Sequence, residues 1–246
     1  MKNIILINLF ILFFLNISPS FAGFPNIPKG IDAREDGSHC DLKGGKFGHV
    51  IVVIDKTTTL DAARADFIKD QVFSEEFYLN YAPHTKFSYF LIDHNEPQAQ
   101  KFLFSKCRVR TGDKNFSKLE KATIFENAKV LKAYHKKFLT YVNELHKKIF
   151  SETKESKYSY IYETIAYIFQ NPKSDFKENQ PKRDLVIVSD LMQNTDRLSF
   201  YIACNANSDN AKCPTFEDFM DNHSDEDYIL STSPNGENIN LEIIYL

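Results

Sequence analysis

The stretch from His49 to Ile54 reads HVIVVI and is followed directly by Asp55. A continuous run of β-branched apolar residues is typical of a strand that is buried on both of its faces. Such strands occur mostly in parallel sheets whose two faces are covered by helices. The stretch therefore predicts a buried strand of an α/β domain.

Further strand and helix patterns alternate along the chain. Strands are predicted at 86–92, 185–188 and 241–246, helices at 60–78, 119–150 and 161–170, and mostly loop at 96–118. This alternation indicates βαβ units. It predicts one Rossmann-like, doubly wound domain with a mainly parallel central sheet and helices on both faces. The domain spans residues 47–246 and follows an irregular arm over 23–46.

The composition is that of an ordinary globular protein. The chain has 246 residues, of which 43% are hydrophobic and 26% charged, so it can bury a core without a disulfide scaffold. Its 30 Lys and Arg residues stand against 33 Asp and Glu residues, which gives a net charge of −3. This charge argues against nucleic acid or an anionic membrane as a partner.

The first 22 residues have the features of a secretory signal peptide. Lys2 supplies a positive charge, the stretch from Ile4 to Ile17 is almost wholly apolar, and Ser20 and Ala22 are small residues before a cleavage site at Gly23. The apolar stretch is shorter than the roughly 20 residues that a membrane-spanning helix needs. We therefore expect a secreted or periplasmic protein, with no membrane insertion after cleavage.

All four cysteines, Cys40, Cys107, Cys204 and Cys213, follow the predicted cleavage site. An even number of cysteines in an exported protein indicates two disulfides, and four cysteines allow three pairings. The short polar segment between Cys204 and Cys213 favours their pairing within a long loop over 203–238, which leaves Cys40 for Cys107. A zinc site is the alternative, but the chain has no Cys-x-x-Cys and no His-x-x-x-His spacing.

Two of the predicted strands are followed by an aspartate with hydroxyl residues nearby. Asp55 precedes Thr57 and Thr59, and Asp190 follows Ser189. The carboxyl ends of parallel strands share one edge of the sheet, where ligands bind. Two carboxylates and several hydroxyls suit a hard cation such as Mg²⁺. The alternative is that each aspartate caps a helix after its strand.

The pattern Asp55-x-Thr57-x-Thr59 after a buried strand resembles a known signature. It is similar to the Asp-x-Ser/Thr-x-Ser/Thr motif of von Willebrand factor A domains, which opens their metal-ion-dependent adhesion site.

Two later loops extend this resemblance in the family's order. The second loop of the family offers a Ser or Thr, often with an acidic residue four positions later, as Ser159 and Glu163 are arranged here. The third loop offers an Asp after a buried strand, which Ser189-Asp190 matches, although Leu191 replaces the usual Gly.

The resemblance implies a role for each of these side chains. The hydroxyls of Thr57, Thr59 and Ser159 would bind Mg²⁺ or Mn²⁺ directly, and Asp55 and Asp190 would act through water and by holding the hydroxyls. A protein partner that offers an acidic residue would complete the coordination. The implied function is an exported adhesion or interaction module and not an enzyme.

Two alternatives remain open. The segment DKTTTL at 55–60 is also similar to the Asp-Lys-Thr-Gly-Thr-Leu motif of haloacid-dehalogenase-like phosphohydrolases. In that family Asp55 would be a nucleophile that forms an aspartyl phosphate, and Asp190 would help to hold Mg²⁺. Thr58 replaces the Gly of that motif, and Asn194 stands where an acidic residue is expected. The other alternative is a metal-free von Willebrand factor A scaffold.

The export prediction is tested by N-terminal sequencing of the mature protein. A start at Gly23 is expected, because cleavage follows the small residue Ala22. Recovery of an exported product that still begins with Met1 would contradict it.

Overall fold

A computed structural model describes ten ranges of the chain. They are residues 48–93, 102–113, 119–122, 124, 127–151, 155–171, 176, 182–192, 194–195 and 239–246. Several predictions fall outside the described residues: the signal peptide over 1–22, the arm over 23–46, the loop over 203–238, and the cysteines Cys40, Cys204 and Cys213.

The strands form a mixed five-stranded sheet in the order β3-β2-β1-β4-β5. They are β1 (His49–Asp55), β2 (Lys86–Ile92), β3 (Phe104–Cys107), β4 (Arg183–Ser189) and β5 (Asn240–Tyr245). β1 pairs in parallel with β2 and β4, β4 pairs in parallel with β5, and β3 runs antiparallel to β2. The predicted mainly parallel sheet is confirmed, and the four predicted strands are present to within two residues of their expected ends.

The sheet also contains a strand that the sequence patterns missed. β3 lies within residues 96–118, where mostly loop was expected. Only its first and last residues are buried, so its four residues do not show the alternation that identifies a strand. Cys107 ends this strand, is fully buried and takes part in a disulfide. The predicted pairing of Cys40 with Cys107 stays a prediction, because Cys40 lies outside the described residues.

The predicted helix over 60–78 is two helices, α1 (Ala62–Val72) and α2 (Glu75–Leu79). The Asp61 side chain caps α1 by accepting a hydrogen bond from the Arg64 backbone N–H at 2.8 Å. Ser74 caps α2 in the same way, accepting from the Phe77 N–H at 3.2 Å. The cap at Ser74 starts a new helix, although the spacing of the apolar residues continues across it. The prediction of a single helix was therefore wrong.

The other two helices are α3 (Ala128–Ser151) and α4 (Ile161–Gln170). The prediction placed the start of α3 at Leu119, which was wrong. Ile124, expected on the apolar face of that helix, is 92% exposed. The Asn127 side chain accepts from the Lys129 N–H at 2.9 Å, and such an interaction at a helix start explains why the helix begins here. Within the described ranges, no helix is long and apolar enough to cross a membrane.

Alternate residues of β1 belong to two separate hydrophobic clusters. Val50, Val52 and Ile54 lie in a cluster with buried side chains of α1, α2 and α3. Ile51 and Val53 lie in a second cluster with buried side chains of α4. Successive side chains of a strand point to opposite faces of a sheet. β1 is therefore buried on both faces, as its continuous apolar run predicted.

A buried ion pair anchors the segment that follows β3. The Arg108 guanidinium donates to both carboxylate oxygens of Glu120 and to the Tyr81 carbonyl at 2.7 Å. The Thr111 backbone N–H also donates to Glu120, at 3.0 Å. Burial raises the pKa of Glu120, but the hydrogen bonds from Arg108 and Thr111 and the positive charge of Arg108 outweigh it, so the pKa is lowered overall.

The Glu120→Gln variant should lose about 3 kcal/mol of unfolding free energy at neutral pH, because it leaves the buried Arg108 charge without its counter-ion. The folded-state pKa of Glu120 lies below its ordinary value of 4.5, so this stabilisation is present above that pH and is lost as pH falls through the folded-state value. Urea unfolding should therefore show the difference from wild type shrinking in acid. Glu144→Gln, on the exposed side of α3, is the matched control, and a pH-independent difference would contradict the expectation.

Candidate functional site

The site lies at the carboxyl edge of the parallel strands, where the strand order reverses. Asp55 ends β1 and Ser189 ends its neighbour β4. Ile54 pairs with Val188, so Asp55 and Ser189, which follow them, lie side by side. After β1 the chain enters β2 on one side, whereas β4 lies on the other side. Ligands commonly bind at such a reversal in open α/β sheets.

The Asp55 carboxylate is buried and accepts four hydrogen bonds. Oδ1 accepts from the Thr57 backbone N–H at 3.0 Å and from the Thr57 hydroxyl at 2.7 Å. Oδ2 accepts from the Ser159 hydroxyl at 3.1 Å and from the Ser189 hydroxyl at 2.7 Å. Because only 4% of Asp55 is exposed, these donors replace the water that would otherwise solvate the charge. The structure thus brings together three of the five predicted site residues, Asp55, Thr57 and Ser159.

Ser189 belongs to this cluster although it was not among the predicted site residues. Its hydroxyl donates to Asp55 and accepts from the Leu191 backbone N–H at 2.9 Å. The prediction chose Asp190, the next residue, whose Oδ1 accepts from the Met192 backbone N–H at 2.9 Å. A hydroxyl at the end of a buried strand was a signal for Ser189, but only the pairing of β4 with β1 gives it a partner.

A cavity of about 400 Å³ opens beside Thr57 and Ser159. Its lining residues are Thr57, Thr58, Thr59, Glu155, Ser156, Lys157, Tyr158, Ser159 and Asn194. Thr57 and Ser159 therefore contact both the buried carboxylate and the cavity. A hydroxyl has one proton to donate and two lone pairs to offer. Once each proton is directed to Asp55, the lone pairs of these two oxygens remain as acceptors.

Backbone hydrogen bonds fix the segment that carries Ser159. The Ser156 N–H donates to the Thr57 carbonyl at 2.9 Å. Ser159 and Asn194 form an antiparallel bridge, with N–H to carbonyl distances of 2.8 and 3.1 Å. The Asn194 side chain also donates to the Lys157 carbonyl at 2.5 Å. The Ser159 hydroxyl is thus held by contacts to both neighbouring loops.

Thr59, the third predicted hydroxyl ligand, has a different partner from Thr57. Its hydroxyl donates to Glu155 Oε1 at 2.6 Å, and both side chains line the cavity. Glu155 was not singled out by the sequence patterns. Thr59 therefore lies at the same cavity as Thr57 and Ser159, but its hydroxyl donates its hydrogen bond to Glu155 and not to Asp55.

Leu191 adopts a backbone conformation that favours glycine, with φ of 59°. It is the residue that replaces the Gly expected from the resemblance to the von Willebrand factor A motif. For a residue with a Cβ this left-handed conformation costs about 1–2 kcal/mol. Such strain is often found at functional sites, and here it accompanies the turn that leads from Ser189 into the site.

No group of three or more His, Cys, Asp or Glu side chains suited to a metal ion occurs in the part of the chain that the structure describes. A hydroxyl-based site would not contain such a group.

No protein-family model matches the chain, and no curated protein sequence matches it either.

Replacement of Thr57 by Val should lower the unfolding free energy by about 1.5–3 kcal/mol, because a buried charged acceptor loses a hydroxyl donor. Thr58→Val makes the same change at an exposed neighbour and should stay within about 0.5 kcal/mol of wild type. Urea unfolding in EDTA measures both. Equal effects at the two positions would show that the hydrogen bond to Asp55 does not stabilise the fold.

Proposed function

We propose that the chain is an exported, metal-dependent protein-binding module of the von Willebrand factor A type, with a doubly wound, Rossmann-like scaffold. The proposed site holds Mg²⁺ or Mn²⁺ through the hydroxyls of Thr57, Thr59 and Ser159. Asp55 and Asp190 hold these groups or bind through water. The partner is a protein that offers an acidic side chain.

The observation that carries this proposal is the pair of hydrogen bonds from Thr57 and Ser159 to Asp55. Both hydroxyls donate to one buried carboxylate and line one cavity. This arrangement fits a hard cation, which takes oxygen ligands and is favoured by nearby negative charge. The left-handed backbone at Leu191 agrees with the glycine of the family's third loop.

The cavity also suits an acidic partner. A bound divalent cation would supply a coordination position for a carboxylate oxygen. Lys157 lines the same cavity, with its Nζ 5.4 Å from the centre of the Tyr158 ring. A lysine at the rim favours the approach of a negatively charged group. Both features support recognition of an acidic side chain.

The environment of Asp55 supports binding more than nucleophilic catalysis. An aspartate nucleophile must direct an oxygen at the phosphorus atom of its substrate. Each Asp55 oxygen instead accepts two hydrogen bonds from the protein, and the carboxylate lies behind the hydroxyls of Thr57 and Ser159. For Asp55 to act as the nucleophile of a phosphohydrolase, these hydrogen bonds would have to rearrange.

The proposal is tested by thermal unfolding of the oxidised mature protein in EDTA and then with added Mg²⁺ or Mn²⁺. A ligand that binds only the folded state at one hundred times its Kd adds about 2.7 kcal/mol of stability. The melting temperature of wild type should therefore rise. Ser159→Ala should remove the rise, whereas Ser105→Ala, on the edge strand β3, should preserve it.

The other outcomes separate the alternatives. The absence of a shift at millimolar metal would favour a metal-free scaffold. Metal-dependent hydrolysis of p-nitrophenyl phosphate that Asp55→Asn abolishes would establish the phosphohydrolase instead.

A further inference from the structure

We infer that Glu155 is a positioning residue of the proposed metal site and acts through the Thr59 hydroxyl, which donates a hydrogen bond to it. The inference deepens the proposed function and depends on it. Glu155 is outside the family motifs that suggested the site, and its role follows from its contact with Thr59.

The geometry at Thr59 parallels that at Thr57. In each case a threonine hydroxyl at the cavity donates a hydrogen bond to a carboxylate. The acceptor is Asp55 for Thr57 and Glu155 for Thr59. The lone pairs of the Thr59 oxygen are then left for a cation, because its proton is already directed elsewhere. A hydrogen bond to an ionised acceptor is also stronger than one to a neutral acceptor, so Glu155 holds the hydroxyl better than an amide would.

The position of Glu155 is set by the chain on its carboxyl side. Its neighbour Ser156 donates its backbone N–H to the Thr57 carbonyl at 2.9 Å. The Ser156 hydroxyl donates to the Tyr158 carbonyl at 2.8 Å and accepts from the Tyr158 N–H at 3.0 Å. Glu155 is exposed, but the residue that follows it is hydrogen-bonded to the loop that carries Thr57 and Thr59. This hydrogen bond keeps Glu155 close to Thr59 and so supports the contact between their side chains.

Glu155 adds a full negative charge to a site whose proposed direct ligands are neutral hydroxyls. The affinity of oxygen-ligand sites for divalent cations depends on the charge around the ion. Removal of a group that orients a metal ligand typically weakens metal binding by 10–100-fold. We expect Glu155 to act in both ways, through the Thr59 hydroxyl and through its charge.

Calorimetric titration of the mature protein with Mn²⁺ tests this inference. Glu155→Gln keeps the shape of the side chain and removes its charge, and it should raise the Kd at least about tenfold. The melting temperature in EDTA should stay that of wild type, because the contact is exposed. Glu144→Gln changes the net charge equally on α3 and should leave the Kd unchanged. In a Thr59→Val background, Glu155→Gln should raise the Kd by a smaller factor.

The contrary outcomes are distinct. If Glu155→Gln binds Mn²⁺ as wild type does while Ser159→Ala does not, the inference is overturned and the proposed function stands. A melting temperature in EDTA that falls in Glu155→Gln, with an unchanged Kd, would assign the residue a structural role only. If wild type binds no metal, the proposed function fails, and the role of Glu155 fails with it.

Discussion

The buried carboxylate of Asp55 is the constraint around which the carboxyl edge of the sheet is arranged. A charge that is 4% exposed is costly unless it is hydrogen-bonded. Its four donors come from three segments: the turn after β1, the segment before α4 and the end of β4. One charge therefore fixes three loops that are distant in sequence. The cavity lies where the first two of these segments meet.

The buried charges at the two edges of the sheet have different kinds of partner. Cys107 pairs with Lys86 at the start of β2, so Arg108 lies at the amino edge of the parallel strands. There its positive charge is matched by Glu120. At the carboxyl edge the donors to Asp55 are neutral groups, which spread its negative charge without cancelling it. This difference is the electrostatic basis of the cation site that we propose at the carboxyl edge.

Backbone strain at Leu191 is compatible with this arrangement because several contacts offset it. Its N–H donates to Ser189, and its side chain packs against the cluster that contains α4. A conformation that costs energy by itself persists when surrounding contacts determine it. A leucine can therefore occupy a position that favours glycine, and its side chain adds packing that glycine lacks.

The amino-acid sequence by itself determined the buried strands β1 and β4, because an apolar run is a local property of the chain. It also placed Asp55 and Thr57 at a strand end. It missed β3, a short edge strand recognisable only from its pairing with β2. Only the tertiary structure decided which side chains meet Asp55. Ser159 and Ser189 lie 104 and 134 residues away along the chain. The pairing of β4 with β1 brings Ser189 to Asp55, and the bridge with Asn194 fixes Ser159, and neither contact is encoded in local periodicity. For the same reason, the contact between Glu155 and Thr59 could be seen only once the chain was folded.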